Sequence, residues 1–358
     1  MIEFRNKILC GHVLNVLRQL PDESVHCVIT SPPYWGLRKY DAPDQVWGGS
    51  KDCEHDFCVS TPPRRERHES DVKNPESNLG ANIELSDTAF CDRCAAWRGQ
   101  LGLEPILDLY VQHLVEVFRE VKRVLRPDGI FWLNIGDSYA GSGKGPSKSL
   151  SKPHQNMEEV HSGIIPEGLK PKDLVGIPWR VAFALQKDGW YLRSDIIWHK
   201  PNPMPESVRD RPAKSHEYVF LLAKSPQYFY DADAIREPFS TSVGPKRDKN
   251  EEKYADLPGQ FSKGQRTFYS QEGGRNKRTV WTIPTQPFKG AHFAVFPKKL
   301  VEPMVKAGTS EKGCCVKCGV PLERAVKKNR VFQKSRRDDS PMETFRRFDG
   351  IRWDTTSK

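Results

Sequence analysis

An apolar, strand-like run in this sequence ends abruptly at two consecutive prolines. The run Val25–Thr30 is rich in β-branched residues, and it predicts a short buried strand. Pro32 and Pro33 then end the strand and stiffen the turn, because each ring fixes φ and removes an N–H donor. Ligands bind at the carboxyl ends of strands in open α/β sheets, so residues 30–35 are predicted to form a rigid tip beside a binding site.

This tip carries groups that suit an amino group attached to a flat ring. The Ser31 hydroxyl and the Pro32 carbonyl can each accept a hydrogen bond from one N–H of such an amino group. Tyr34 offers an aromatic face on which an unstacked base can rest. The alternative interpretation is an ordinary Ser-Pro-Pro turn, because consecutive prolines are common in loops.

Charge and hydropathy narrow the partners of the chain. The 358 residues carry a formal net charge of +10, which favours a polyanionic partner such as double-stranded DNA. An ordinary basic enzyme is the alternative. No apolar run approaches the roughly 20 residues of a membrane span, and the first residues lack a signal-peptide pattern. We therefore expect a cytoplasmic protein without a membrane partner.

Hydrophobic periodicity predicts an α/β succession of elements. The longest amphipathic pattern covers residues 105–127 and predicts a helix that ends at Pro127-Asp128-Gly129. The other predicted helices cover residues 13–20, 178–187 and 300–307. The predicted strands cover residues 8–11, 25–30, 130–135, 191–198, 217–223 and 279–283.

Composition divides this succession into segments. Residues 1–40 and 101–236 are predicted to form the catalytic α/β core, interrupted by a polar insertion at 41–100. Residues 237–280 are basic and polar, which predicts a variable region that faces a partner. Residues 281–326 return to core-like sequence and carry half of a zinc ribbon, and residues 327–358 are predicted to form a loose tail.

The polar insertion contains a cluster of metal-ligand residues. Cys53 and His55 precede the pair Cys91 and Cys94, and four such ligands complete a tetrahedral Zn²⁺ site. Cys58 is an alternative to His55. A structural zinc would fold an insertion that is too polar to build its own core. The competing interpretation is a set of incidental free thiols.

Two further motifs do not support a site of their own. Cys315 and Cys318 form half of a zinc ribbon, and no second pair follows them. The glycine-rich residues 141–145 fail the spacing of a phosphate-binding loop, because Ser138 and Gly145 occupy positions where that loop requires glycine and Ser/Thr. A P-loop NTPase is therefore not supported.

Several segments together resemble bacterial and phage site-specific DNA amino-methyltransferases. These enzymes depend on S-adenosylmethionine, modify cytosine N4 or adenine N6, and some belong to restriction-modification systems. The resemblance is carried by Leu20-Pro21-Asp22-Glu23-Ser24-Val25, Thr30-Ser31-Pro32-Pro33-Tyr34-Trp35, Leu125-Arg126-Pro127-Asp128-Gly129, Asn134-Ile135-Gly136-Asp137, Trp198-His199-Lys200-Pro201-Asn202, Ser215-His216-Glu217-Tyr218 and residues 291–303.

The resemblance implies a Rossmann-like class I methyltransferase sheet in permuted order, here with the zinc-stapled insertion. It implies that Ser31, Pro32, Pro33 and Tyr34 hold the flipped base, and that residues 237–280 recognise the target. A serine at position 31, rather than Asp or Asn, favours cytosine N4, although related adenine-N6 enzymes also carry it. Methylation of the cytosine ring carbon is disfavoured, because its nucleophilic cysteine follows a proline and this chain has no Pro-Cys pair.

On the cofactor side the resemblance is less complete. It implies cofactor contacts for a set of six residues, namely Gly11, His12, His292, Phe293, Phe296 and Pro297. The family pattern has Asp where this chain has His12, and it has a later glycine-rich loop that this sequence lacks. We therefore expect an incomplete sheet in a chain that is either truncated or one half of a split enzyme, in which a second polypeptide supplies the loop. The competing hypothesis is a truncated, catalytically dead zinc-containing DNA-binding protein.

Overall fold

The computed structural model describes residues 4, 6–58, 89–141, 165–238, 274–288 and 295–324. The chain divides into two compact units. The first comprises Met1–Tyr230 and Arg278–Thr309, and the second comprises Asp231–Lys277 and Ser310–Lys358.

The first unit contains every helix and strand discussed below. In chain order they are α1 (Val13–Gln19), β1 (Val25–Thr30), β2 (Gln45–Trp47), β3 (Phe57–Cys58), β4 (Ala89–Cys91), β5 (Trp97–Gly99), α2 (Leu107–Val124), β6 (Leu125–Ile135), α3 (Ile177–Lys187), β7 (Tyr191–His199), β8 (His216–Ala223), β9 (Val280–Thr282) and α4 (Lys298–Gly308).

A five-stranded sheet in the order β1-β6-β8-β7-β9 organises this unit. β1 pairs in parallel with β6, and β7 pairs in parallel with β9, whereas β8 runs antiparallel to both of its neighbours. Four strands therefore point the same way. Their carboxyl ends and the beginning of β8 lie at one edge of the sheet, which confirms the predicted α/β class.

Helix α2 and strand β6 form the centre of the core. The apolar stripe of α2 is buried over five turns, and residues 130–135 of β6 are buried throughout. Both elements were predicted from their hydrophobic pattern. Fully buried side chains on these two elements include Tyr110, Leu114, Phe131, Leu133 and Ile135.

The predicted end of the long helix was wrong. Helix α2 ends at Val124, and β6 begins at once with Leu125, so that residues 127–129 belong to the strand. The physical reason is Pro127, because the residue before a proline is pushed out of the helical region towards extended backbone.

Two further corrections concern the amino-terminal strands. Residues 8–11 do not form the predicted strand, and Ile8 is exposed. A strand needs a hydrogen-bonding neighbour, and no described residue pairs with this segment. β1 forms as predicted, but its residues are half-buried rather than buried. Within the described residues β1 is an edge strand, which leaves one side without a neighbour.

A second, smaller sheet lies within residues 41–100. Its four short strands run antiparallel in the order β2-β5-β4-β3. Trp47 of β2 and Trp97 of β5 are buried, and the Trp47 indole donates to the Gly99 carbonyl at 3.0 Å. Residues 59–88 of the predicted insertion lie outside the described residues.

The second unit is described only in part. Glu237 and Arg275 form an isolated antiparallel bridge, and their side chains pair at 3.3 Å. Residues 239–273, most of the predicted target-recognition region, and the predicted tail at 327–358 lie outside the described residues. Of the helices that the structure describes, none combines the length and apolar character that crossing a membrane requires.

The core packing generates a stability prediction. Leu114 is fully buried on α2, so Leu114→Ala is expected to lower the free energy of unfolding by about 2–5 kcal/mol through lost contacts and a new cavity. Chemical denaturation measures this change. Leu174→Ala is the matched control, since Leu174 is half exposed, and an equal loss in both variants would contradict the assignment of the core.

Candidate active site

Four polar or glycine positions meet at the edge where the parallel strands end. Ser31 follows β1, Gly136 follows β6 and Lys200 follows β7, whereas Glu217 lies at the beginning of the antiparallel β8. This convergence follows from strand direction, because β8 enters the sheet at the edge where its neighbours leave it. The tip predicted from the sequence therefore lies beside residues that are far away along the chain.

Tyr34 is tied to this edge through its hydroxyl. The hydroxyl donates to Glu217 Oε2 at 2.7 Å, and the Ser31 hydroxyl lies 3.4 Å from the Tyr34 hydroxyl oxygen. Burial, and then the nearby Glu217 carboxylate, raise the pKa of Tyr34 well above its ordinary value. Tyr34 is therefore a neutral hydrogen-bond donor at physiological pH.

Glu217 is the centre of this polar network. Besides the Tyr34 hydroxyl, its carboxylate accepts the Asn134 amide at 3.0 Å and forms an ion pair with Lys200. Sequence analysis did not select Glu217 as a site residue. The signal available in the sequence was a charged residue at the start of an apolar strand. Asn134, its partner in the structure, is likewise a polar residue within an apolar strand.

The Tyr34 ring lies directly against the backbone after β6. A Cβ atom at Gly136 would come within 2.6 Å of Tyr34 Cε2, so only glycine leaves room for the ring. On the other side of the loop, the Tyr110 hydroxyl donates to the Pro33 carbonyl at 2.8 Å. Pro32 is buried, and no described residue donates to its carbonyl.

Cationic side chains surround the same edge. The Lys200 ammonium lies 4.3 Å from the centroid of the Trp198 ring, next to its ion pair with Glu217. Lys214 is partly buried, and desolvation lowers its pKa despite the opposing charges of Asp137 and Glu217. Desolvation, followed by Lys214 and other neighbouring cations, also lowers the pKa of His216. Such an edge is suited to a polyanionic ligand.

The candidate cofactor residues are only partly described. Gly11 is exposed before α1, Phe296 is half-buried and Pro297 is buried at the beginning of α4, whereas His292 and Phe293 lie outside the described residues. His12 packs edge-on against Trp47, with 4.8 Å between ring centroids. Its Nε2 atom is buried and has no hydrogen-bond partner among the described residues.

The His12 imidazole is suited to accept a hydrogen bond. Burial, followed by the charge of Arg18, lowers the pKa of His12, so the ring is neutral at physiological pH. A neutral imidazole nitrogen accepts a hydrogen bond from an amino group, as an aspartate oxygen does. The unpartnered Nε2 atom of His12 is therefore chemically compatible with an amino group such as that of adenine.

The predicted metal ligands come together in the small sheet. The ligand atoms of Cys53, His55, Cys91 and Cys94 all lie within 4.8 Å of one another. Cys53 Sγ and Cys91 Sγ are 3.8 Å apart, and Cys94 Sγ is 3.4 Å from His55 Nδ1. A tetrahedral zinc site places two sulfurs about 3.8 Å apart and sulfur and nitrogen about 3.5 Å apart. The side chain of Cys58, the predicted alternative ligand, lies outside the described residues.

The other cysteine motif, Cys315 and Cys318, lies in the second unit. Cys315 begins a tight turn in which the Gly319 amide donates to the Cys315 carbonyl at 2.8 Å. Among the described residues, no other group of three or more potential ligands completes a site with Cys315 and Cys318. Most of the glycine-rich motif at residues 141–145 lies outside the described residues.

Comparison with known proteins identifies the family. A family model described as DNA methylase, N6_N4_Mtase, matches residues 25–316. The chain belongs to this family. By family it is an S-adenosylmethionine-dependent DNA N-methyltransferase, which confirms the resemblance inferred from the motifs.

Relatives with curated names agree with this assignment. The chain is 40% identical over 299 residues to the type II methyltransferase M.Cfr9I of Citrobacter freundii, covering 84% of this chain and 71% of that protein. It is 38% identical over 307 residues to M.SmaI of Serratia marcescens, covering 86% and 76%. Type II methyltransferases belong to restriction-modification systems, as predicted for this chain.

A solved structure shows a weaker likeness. The PvuII DNA methyltransferase, described as cytosine-N4-specific, matches with a TM-score of 0.42 and 16% identity, covering 84% of this chain and 69% of that chain. The family assignment rests on the family model and on the relatives, not on this likeness. Neither the comparisons nor the structure support the predicted second polypeptide.

The Glu217 network generates a prediction for this DNA N-methyltransferase. Glu217→Gln is expected to lower kcat about 10- to 100-fold, because a hydrogen bond to a charged group contributes about 1.5–3 kcal/mol. In either orientation the amide side chain also places its NH₂ group against a donor, which is Asn134 in one orientation and Lys200 in the other. Steady-state methylation assays measure the effect.

Glu120→Gln is the matched control, since Glu120 pairs with Arg123 on α2 and lies outside the polar network. An equal kcat for Glu217→Gln and Glu120→Gln would contradict the role of Glu217. Thermal unfolding of both variants separates a local effect from a general loss of stability.

Proposed function

We propose that this chain methylates the exocyclic amino group of a flipped DNA base, with cytosine N4 as its target in preference to adenine N6. The observation that carries the proposal is the tip at Ser31–Tyr34, which lies at the carboxyl edge of the sheet and whose Tyr34 hydroxyl is held by Glu217. Ser31, in place of Asp or Asn, supports the preference for cytosine.

The acceptors at the tip would orient the amino group of the base. The Ser31 hydroxyl and the Pro32 carbonyl would each accept a hydrogen bond from one N–H of the amino group. These two bonds would draw the nitrogen towards a tetrahedral shape and free its lone pair. S-adenosylmethionine supplies the methyl group when bound. The nitrogen lone pair would form the new N–C bond as the methyl–sulfonium bond of the cofactor breaks and S-adenosylhomocysteine leaves, and the methylated nitrogen would then lose one proton to water. The rate gain comes chiefly from proximity and orientation, since no covalent enzyme intermediate is needed.

The remaining residues of the tip would hold the base in place. Tyr34 contributes its aromatic ring as a stacking surface, and its hydroxyl bond to Glu217 fixes the ring. Pro33 keeps the backbone rigid and is anchored by Tyr110. Lys200 and Lys214 add positive charge beside the DNA backbone, and residues 237–280 recognise the target sequence.

His12 is proposed to bind the cofactor adenine, together with Gly11, Phe296 and Pro297. The buried and unpartnered Nε2 atom of His12 supports this role. His292 and Phe293 are proposed as further contacts on the strength of the family motif alone.

A structural Zn²⁺ is proposed at Cys53, His55, Cys91 and Cys94. The spacing of their sulfur and nitrogen atoms supports a tetrahedral ion. This metal would take no direct part in the chemical step, because the acceptors and the aromatic ring at the tip belong to other residues.

The proposed reaction has a direct test in the modified nucleoside. Purified protein, labelled S-adenosylmethionine and unmodified bacterial DNA are expected to give N4-methylcytosine, identified by digestion and mass spectrometry. Ser31→Ala is expected to lower kcat about five-fold or more, because it removes one hydrogen bond of about 1 kcal/mol to the amino group.

Ser225→Ala is the matched control, since Ser225 follows β8 at the opposite edge of the sheet. N6-methyladenine as the product would overturn the choice of base. DNA binding without methyl transfer, even at high cofactor concentration, would favour the catalytically dead DNA-binding protein instead.

The assignment of His12 generates a separate prediction. His12→Ala is expected to raise the KM for S-adenosylmethionine about five-fold through loss of one hydrogen bond, whereas His12→Asp retains an acceptor. Protonation removes the acceptor of the native ring. The KM of the native protein should therefore rise as the pH falls below the lowered pKa of His12, and the KM of His12→Asp should stay flat. Identical pH profiles for the two proteins would exclude this role.

A further inference from the structure

Residues that follow β5 of the small sheet are hydrogen-bonded to the segment that follows the base-holding loop, Ser31–Trp35. The Gln100 side chain, directly after β5, accepts from the Tyr40 amide at 2.9 Å and donates to the Tyr40 carbonyl at 2.9 Å. The Gly102 carbonyl accepts from the Gly36 amide at 2.7 Å. These bonds fix the segment that leaves the Ser31–Trp35 loop, so its position depends on residues 100–102.

Glu104 connects the same segment to the loop and to the core. Its backbone carbonyl accepts from the Trp35 indole at 2.9 Å. Its carboxyl group accepts from the Gly102 amide at 2.7 Å and contacts His113 Nδ1 at 2.9 Å. Glu104 and His113 are almost fully buried, so these bonds are shielded from water.

The small sheet also packs against the core through two tryptophans. The His113 ring stacks with Trp47 and with Trp97, at centroid distances of 5.1 and 5.6 Å. Trp47 also contacts His12, the candidate cofactor residue. Both tryptophans therefore contact His113, and Trp47 also contacts His12. His113 in turn contacts Glu104, whose backbone carbonyl binds Trp35 of the loop.

The metal-ligand cluster lies at the opposite end of these strands. Cys91 ends β4 and Cys94 lies in the turn that leads to β5, where the Cys91 amide donates to the Ala96 carbonyl at 2.7 Å. A Cβ atom at Gly49 would come within 2.7 Å of Cys94 Sγ, so the cluster packs closely on the segment after β2. Strands of two or three residues have few ladder bonds of their own.

We propose that the small sheet is a metal-dependent clamp on the base-holding loop. A single Zn²⁺ at Cys53, His55, Cys91 and Cys94 fixes the hairpin of β4 and β5, and the hairpin holds residues 100–104 in place against the loop. This inference rests on the proposed function for its catalytic consequence. Loss of the metal then loosens residues 35–40 and slows methyl transfer, while the five-stranded sheet stays folded.

The test compares the native protein with two cysteine variants and one variant of Glu104, the residue that connects the small sheet to the loop. Cys94→Ser removes a ligand, and Cys314→Ser is the matched control, because Cys314 is exposed and outside the cluster. Glu104→Gln keeps the metal ligands but weakens the contacts of the Glu104 side chain with Gly102 and His113. For each protein, elemental analysis gives the zinc content, hydrogen–deuterium exchange reports on residues 35–40, and methylation assays give kcat.

The expected result is one zinc per chain at the cluster in the native protein, Cys314→Ser and Glu104→Gln, with loss of this zinc in Cys94→Ser. The Gly36 and Tyr40 amides exchange faster in Cys94→Ser and Glu104→Gln, and kcat falls about 10- to 100-fold in both through misplacement of the loop. Removal of zinc from the native protein by a chelator reproduces the faster exchange, and added Zn²⁺ reverses it.

The exchange measurement separates this inference from the proposed reaction. Unchanged exchange of residues 35–40 in zinc-free protein overturns the clamp, whether or not the native protein methylates DNA. Native protein without zinc at full activity overturns the metal site. Native protein that shows the zinc-dependent exchange but no methyl transfer overturns the proposed function and supports the clamp.

Discussion

Glu104, a buried residue, connects three parts of the structure through its carboxyl group and its backbone carbonyl. Its carboxyl group contacts His113 on α2 and accepts from the Gly102 amide beside the small sheet, and its backbone carbonyl accepts from the Trp35 indole in the loop Ser31–Trp35. A buried polar group is tolerated only when its hydrogen-bonding atoms are paired, so these contacts specify one arrangement of loop, helix and sheet. The geometry of the candidate active site therefore depends on a residue that lies behind it.

Strand direction then decides which groups share the site. Because β8 runs against its neighbours, Glu217 at its beginning reaches the tip after β1 and Lys200 after β7. The carboxylate balances a lysine charge and orients the Tyr34 hydroxyl in one step. The loop Ser31–Trp35 is thus hydrogen-bonded by Glu217 at the sheet edge and by Glu104 next to the small sheet.

Much of the secondary structure and part of the site were predictable from the sequence. Hydrophobic periodicity located α2, and the proline pair marked the end of β1, because both signals act over a few neighbouring residues. The spacing of the cysteines indicated the ligand cluster. The strand predicted at residues 8–11 failed, since no described residue pairs with it, and Pro127 ended α2 earlier than its apolar pattern suggested.

The sequence by itself determined the local elements, the ligand types of the small sheet and the family motif at the tip. Only the tertiary structure decided that Glu217 holds Tyr34, that Glu104 holds Trp35 and that the ligand cluster and the loop are linked through one small sheet. The partners in these contacts lie up to 183 residues apart. Such pairs form only when strand order, register and burial bring two distant polar groups together, and no short-range pattern in the chain records that outcome.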